Sequence, residues 1–276
     1  MDEIASLGEH SARTTPFENL TEFSLILDQS SFFNPQIVQS SLLLEPFFCS
    51  LPATLQRLKI LSLCYALDFS SLFDALSKSA CYPKLTSLQL HFNFCLSFRS
   101  SCQSVRHFLL THNNNLQHLD LYFCTSGSMD GEHLGGWLTN LANNEFQFSS
   151  LKTLDIDPST SQTSLSAVLA LIKLTAPTLS ELSIGSRTLT FEEVKQVVDA
   201  LTEDGVQFQA MTTRITGEFN LKSLTMQIAQ LSVPFLDLLA RKLPRLEELN
   251  LIASKIVGSD QVCFPSCFIS TQLNYA

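Results

Sequence analysis

Residues 116–121, LQHLDL, show the pattern that most limits how this chain folds, with leucines first three and then two positions apart. No single helical face has that spacing, and only its second half alternates as a strand does. Two leucines two positions apart lie on the same side of a strand, and the first leucine falls in the bend that enters it. One such unit cannot bury its leucines alone, so the pattern predicts a stack of repeats.

The pattern L-x-x-L-x-L recurs eight times, with phenylalanine, isoleucine or methionine in place of some leucines. The predicted repeats begin at Leu20, Leu58, Leu85, Leu116, Leu151, Leu179, Leu221 and Leu246. Their mean spacing, (246 − 20)/7, is roughly 32 residues, which is close to the period of leucine-rich repeats. The chain is therefore expected to contain about eight irregular repeats.

Helix signals lie between the predicted strands. Thr190 and Glu193 form a capping box ahead of apolar residues at helical spacing. Ser232 followed by Pro234 marks another helix start. A proline stands just before three of the strands, where a helix must have ended: Pro83, Pro177 and Pro244. These signals predict an α/β fold, a leucine-rich-repeat solenoid with a curved parallel β-sheet on its concave face and helices on its convex face.

Three segments follow from this pattern. Residues 1–16 are a lead-in, residues 17–256 form the leucine-rich-repeat domain, and residues 257–276 are a C-terminal tail or an incomplete cap. The end of a solenoid normally needs a polar capping unit. The last segment shows no clear amphipathic cap, so we expect it to be poorly packed.

Composition excludes several classes of partner. The net charge is −9, with 17 lysines and arginines, so neither nucleic acid nor an anionic membrane is an expected partner. The N-terminus lacks the basic and apolar regions of a signal peptide, and no apolar run of about 18 residues predicts a membrane span. The scattered cysteines favour a reducing compartment, which predicts a cytoplasmic or nuclear location.

The segments LPATLQRLKILSL, YPKLTSLQL, APTLSELSI and LPRLEELNL resemble leucine-rich-repeat proteins of the ribonuclease-inhibitor-like kind. They are most similar to the repeat regions of fungal F-box proteins, over about residues 17–256. This resemblance implies the substrate-recognition part of a ubiquitin ligase receptor, with a ligase adaptor as one partner. No F-box-like helical segment is recognisable before Phe17. The alternative is an enzyme regulator built from the same repeats, such as an inhibitor or a GTPase-activator-like scaffold.

The strand residues that flank the inward leucines are predicted to form the concave, partner-binding face. In the second repeat they are expected to be Ile60, Ser62 and Cys64. The candidate protein-binding residues are His91, His118, Asp120, Tyr122, Asp155, Asp157 and Glu181. No lysine or arginine falls among the predicted concave positions, so the patch is expected to bind a basic or hydrogen-bond-donating partner segment. The alternative is that these acids only keep the sheet solvated.

Aromatic residues follow the same face. Phe92 and Phe123 occupy equivalent positions in consecutive repeats, with Tyr122 beside them. We expect the two phenylalanines to be buried and the tyrosine to be exposed.

Catalytic and metal-binding patterns are weak. His107 and His112 are five residues apart, which is poor spacing for one helical face, and Cys263 and Cys267 lack a second pair. His118 and Asp120, with Ser62 or Ser87 from another repeat, suggest a triad, but an open sheet offers no obvious oxyanion site. The sequence therefore predicts a non-enzymatic protein-interaction module without metal or cofactor.

Overall fold

A computed structural model describes residues 17–27, 48, 51–62, 69–79, 82–94, 96–125, 128–142, 148–157, 165–202, 220–257 and 263–272. Its strands are β1 (Glu22–Leu27), β2 (Arg57–Ser62), β3 (Ser87–Phe94), β4 (His118–Thr125), β5 (Thr153–Asp157), β6 (Glu181–Leu189), β7 (Ser223–Ile228), β8 (Glu248–Val257) and β9 (Cys263–Gln272). Its helices are α1 (Ser70–Ser79), α2 (Leu96–His112), α3 (Ser128–Leu141), α4 (Leu165–Thr175), α5 (Phe191–Thr202) and α6 (Val233–Lys242).

The strands form one sheet in which spatial order equals sequence order. From β1 to β8 every strand pairs in parallel with the next, and helices α1 to α6 follow strands β2 to β7 in turn. This order is what stacked strand–helix units produce. The predicted α/β solenoid, with a parallel sheet on one face and helices on the other, is confirmed.

The first leucine of each repeat lies in a bend, as its spacing predicted. Leu85, Leu116 and Leu151 are completely buried there. One backbone carbonyl beside each bend accepts hydrogen bonds from two backbone N–H groups of the next repeat. The carbonyl of Gln117, for example, accepts from Lys152 at 2.8 Å and from Thr153 at 2.9 Å. The same pattern joins all the parallel strands, so the backbone groups of the bends are paired from repeat to repeat.

The predicted frame of the second repeat is wrong. Strand β2 pairs Leu58 with Leu88 and Ile60 with Leu90, so this repeat begins at Leu55 and not at Leu58. The segment LQRLKILSL fits L-x-x-L-x-L in two frames three residues apart. The neighbouring strand selects the first frame, because only that register puts every inward side chain on the buried side.

This shift changes which side chains of β2 face outward. Ile60 and Ser62, predicted on the concave face, are both completely buried, and Cys64 lies outside the described residues. The residues that do face outward are Arg57, Lys59 and Leu61. The face therefore carries basic side chains at one end, contrary to the prediction.

The core lies between the sheet and the helices. Phe92 and Phe123 are buried, as predicted, and the ring of Phe92 contacts that of Phe73 with 6.1 Å between centroids. The capping box of α5 is confirmed, because Glu193 accepts from the backbone N–H of Thr190 at 2.8 Å. No helix among the described residues has the length and apolar character that crossing a bilayer requires.

The sheet ends with a strand that runs the other way. Strand β9 pairs antiparallel with β8, from Glu248 opposite Gln272 to Val257 opposite Cys263. This strand occupies the edge of β8 that the parallel array would leave unpaired. The segment predicted as a poorly packed tail thus contains a paired strand, whereas the predicted lead-in, 1–16, lies outside the described residues.

Candidate functional site

The face of the sheet opposite the helices is the open face. It consists of Glu22, Ser24, Ile26, Arg57, Lys59, Leu61, Ser87, Gln89, His91, His118, Asp120, Tyr122, Thr153, Asp155, Asp157, Glu181, Ser183, Gly185, Ser223, Thr225, Gln227, Glu248, Asn250 and Ile252. None of these residues is buried, whereas the strand residues between them pack into the core. The open face is therefore the accessible side of the described sheet.

His91 and Asp120 join strands β3 and β4 at the centre of the open face. The ring Nε2 of His91 donates a hydrogen bond to Oδ2 of Asp120 at 2.8 Å. The ring of His91 also lies 5.2 Å from that of Tyr122, between centroids. The His91 and Asp120 side chains are 29% and 22% exposed. Their hydrogen bond is thus partly screened from water, and it fixes both groups in orientation.

Asp155 lies among several charged and polar side chains of the open face. It stands opposite Asp120 on β4 and opposite Ser183 on β6. Burial raises the pKa of Asp155, and the charges of Asp120 and Asp157 raise it further. A hydrogen bond from Ser183 and the charge of His91 oppose this rise without cancelling it. The folded protein therefore disfavours the ionised form of this carboxylate.

Asp157 is held by a different set of contacts. Ser186 donates its hydroxyl to Oδ2 of Asp157 at 2.6 Å. Asp157 also stands opposite Tyr122. The sequence predicted Tyr122 to be exposed, but it is half-buried. Burial raises the pKa of Tyr122, and the nearby acidic groups of Cys124 and Asp157 raise it further. Tyr122 therefore stays protonated at neutral pH next to the acids.

The remaining predicted site residues lie at the ends of the strands. His118 is exposed at the start of β4. Glu181 is exposed at the start of β6 and accepts a hydrogen bond from Thr153 at 3.2 Å. The structure thus brings His91, Asp120, Tyr122, Asp155 and Asp157 into one central cluster, and it leaves His118 and Glu181 at one border of it.

The sequence missed the basic end of the open face. Arg57 donates from Nη2 to Oε2 of Glu22 at 2.7 Å, and Lys59 lies two residues further along β2 on the same face. The Arg57 and Glu22 side chains are 61% and 57% exposed, so their ion pair adds little stability. Prolines stand two residues before the first leucine of other repeats, at Leu85 and Leu179. Pro52, three residues before Leu55, was a similar sign that the second repeat begins at Leu55, the frame that puts Arg57 and Lys59 on the open face.

Of the residues considered for a catalytic triad, Asp120 hydrogen-bonds to His91 on the neighbouring strand. Ser62 is buried on the opposite side of the sheet from His118, whereas Ser87 stands opposite His118 on β3. Among the described residues, no group of three or more His, Cys, Asp or Glu side chains is arranged to hold a metal ion. The arrangement presents fixed hydrogen-bond acceptors and negative charge on an accessible surface.

Replacing Asp155 by asparagine is expected to raise the free energy of unfolding at pH 7, by on the order of 0.5 kcal/mol. The pKa of Asp155 is raised in the folded state, so its ionisation favours unfolding as the pH rises through that pKa. The gain should become smaller in acid, where the carboxyl is increasingly protonated in both states. Denaturant unfolding at pH 7 and pH 3.5 measures this change, and a variant less stable than wild type at pH 7 would contradict the expectation.

The fold and the open face together define an α/β repeat solenoid whose uncovered sheet surface is acidic at its centre. No family model and no curated protein matches the sequence. The function of the chain is therefore inferred from the side chains of the open face.

Proposed function

We propose that this chain is a non-enzymatic protein-interaction module whose open face binds a basic segment of a partner protein. The observation that carries the proposal is the position of Asp155, half-buried between Asp120 and Asp157 with its pKa raised. Such an arrangement costs stability in the free protein. A lysine or arginine of a partner would offset the repulsion among these carboxylates, so the cost is recovered in the complex.

The hydrogen-bonding pattern supports binding to cations. Carboxylates accept hydrogen bonds and do not donate them when ionised, so they match ammonium and guanidinium groups. The positions of β4, β5 and β6 on the open face include four acids and no lysine or arginine. The same acids repel phosphate backbones, which supports a protein partner over nucleic acid.

Selection from a random peptide library displayed on phage tests this proposal on the intact protein. We expect the selected peptides to be enriched in lysine and arginine, and the affinity of a synthetic copy to fall as the salt concentration rises. In the Asp155→Asn/Asp157→Asn variant, the dissociation constant of that peptide should increase by about tenfold or more.

Glu192→Gln/Asp237→Asn provides the matched control. Glu192 and Asp237 are exposed acids on helices α5 and α6, away from the open face, and the double substitution removes two negative charges in the same way. It should leave the affinity within about twofold. Peptides without basic residues, or an affinity that the double variant does not change, would contradict the proposal.

A narrower proposal concerns the biological partner. The resemblance of the repeat segments to those of fungal F-box proteins supports a role as the substrate-recognition part of a ubiquitin ligase receptor, which would place the chain in the cytoplasm or nucleus. Co-purification of the tagged chain with a ligase adaptor subunit tests this role. A tight complex with an enzyme whose turnover changes on binding, and no adaptor, would instead favour the enzyme-regulator function.

A further inference from the structure

Strand β6 contains a bulge next to Asp157. Its pairing with β7 passes from Ile184 opposite Met226 directly to Thr188 opposite Gln227, so the residues between Ile184 and Thr188 stand out of register. Ser186, in this bulge, has a φ of 48°, a left-handed conformation that is uncommon outside glycine. Bulges of this kind change the direction of nearby side chains.

The bulge approaches the Asp157 carboxylate closely. Ser186 donates its hydroxyl to Oδ2 of Asp157 at 2.6 Å. A Cβ atom added to Gly185 would lie 2.5 Å from the same oxygen and 2.9 Å from Cγ of Asp157. The carboxylate therefore rests against the backbone of Gly185, and any larger residue there would displace it.

The C-terminal end of the bulge is joined to helix α5 by an ion pair. Arg187 donates from Nη2 to Oε1 of Glu193 at 2.6 Å, and its side chain is only 13% exposed. Glu193 also accepts from Thr190 in the capping box. A residue with an uncommon φ persists only where the surroundings determine its conformation, and contacts at both ends of the bulge do so here.

We propose that Gly185 and Ser186 are positioning residues that orient the Asp157 carboxylate toward the basic group of the partner. This inference rests on the proposed function of the open face. A carboxylate that is already oriented loses less conformational freedom on binding than a mobile one, so its contribution to affinity is larger. The two residues act through Asp157 and need not touch the partner.

Substitutions at Ser186 separate positioning from stability. Ser186→Ala and Ser186→Gly both remove the hydroxyl, and each should weaken binding of the synthetic basic peptide by roughly fivefold. Glycine accommodates the left-handed conformation, so Ser186→Gly should unfold no more easily than wild type. Ser186→Asn keeps an N–H donor and tolerates this conformation, and we expect it to bind within about twofold of wild type.

A double-mutant cycle with Asp157→Ala completes the test. If Ser186 acts through Asp157, Ser186→Ala should have no further effect on peptide binding in the Asp157→Ala background. An equal effect in both backgrounds, or no effect of Ser186→Ala and Ser186→Gly while Asp157→Ala weakens binding, would overturn this inference alone. Peptide binding that Asp157→Ala leaves unchanged, while the Asp155→Asn/Asp157→Asn variant weakens it, would also overturn this inference alone. Binding that neither variant changes would overturn it together with the proposed function.

Discussion

Ile60→Ala is expected to lower the free energy of unfolding by about 3 kcal/mol. Ile60 is completely buried and pairs with Leu90 in the neighbouring strand, so truncation removes packed methyl groups and leaves a cavity. The stack of repeats limits how far the site can collapse, because the backbone of β2 is hydrogen-bonded on both sides. Equilibrium unfolding in urea, followed by circular dichroism, measures the loss.

Leu61→Ala is the matched control for the frame of the second repeat. Leu61 is adjacent in sequence but lies half-buried on the open face, so its truncation should cost less than about 1 kcal/mol. The frame that begins at Leu58 predicts the opposite order, with Leu61 inward and Ile60 outward. A larger loss for Leu61→Ala than for Ile60→Ala would therefore contradict the register of β1, β2 and β3.

The stability of the protein is also expected to decrease in acid because of His112. This residue ends helix α2, is 1% exposed, and has its ring 4.7 Å from that of Phe108 and 5.9 Å from that of Tyr82, between centroids. Neither ring nitrogen hydrogen-bonds to a described protein atom. Burial lowers the pKa of His112 from 6.5 to about 4. The folded state therefore requires the neutral ring.

The direction of the pH effect follows from that shift. The unfolded chain takes up a proton on His112 near pH 6.5, whereas the folded protein does so only near pH 4. This contribution to stability is present above pH 6.5 and is lost as the pH falls toward 4, by roughly 3 kcal/mol. Urea unfolding at half-unit intervals from pH 7.5 to pH 4 measures the loss in wild type.

His112→Leu should remove most of this dependence, because an apolar side chain of similar size has no proton to take up. His107→Gln is the control, since His107 lies on the same helix but is exposed. It should keep the pH dependence of wild type. If His112→Leu loses as much stability as wild type between pH 6.5 and pH 4, the buried neutral histidine is not the cause.

Most of the fold was predictable from the leucine spacing. The spacing predicts which side chains point into the core, and Leu116, Leu119 and Leu121 are all buried as it predicts. Helix α5 was predictable for a local reason, because its capping box and its apolar residues lie within one short segment. Both features depend on residues that are close in sequence.

The frame of β2 was harder to predict, since the choice depends on a neighbouring strand. Leu58, Leu61 and Leu63 fit the motif with three leucines, whereas the frame from Leu55 requires isoleucine at its third position. Burial does not distinguish leucine from isoleucine, so the motif favoured the wrong frame. Because of this error, Arg57 and Lys59 were not predicted to lie on the open face.

The contacts of the candidate site were the least predictable part. His91 and Asp120 are 29 residues apart, and so are Asp157 and Ser186. Their hydrogen bonds depend on how repeats of unequal length align. The bulge in β6 depends on the same alignment, because its register with β7 changes beyond Ile184. The sequence predicted which acids share a face, but not which of them accept hydrogen bonds or which side chains donate those bonds.

Mapping the bound peptide by NMR shows whether the centre of the open face is where a basic segment binds. The synthetic basic peptide is titrated into isotopically labelled protein, and chemical-shift changes are recorded along the chain. We expect the largest changes on Asp120, Tyr122, Asp155 and Asp157, in strands β4 and β5, with helices α3, α4 and α5 little changed. Changes concentrated on those helices, or at the basic end formed by Arg57 and Lys59, would contradict this expectation.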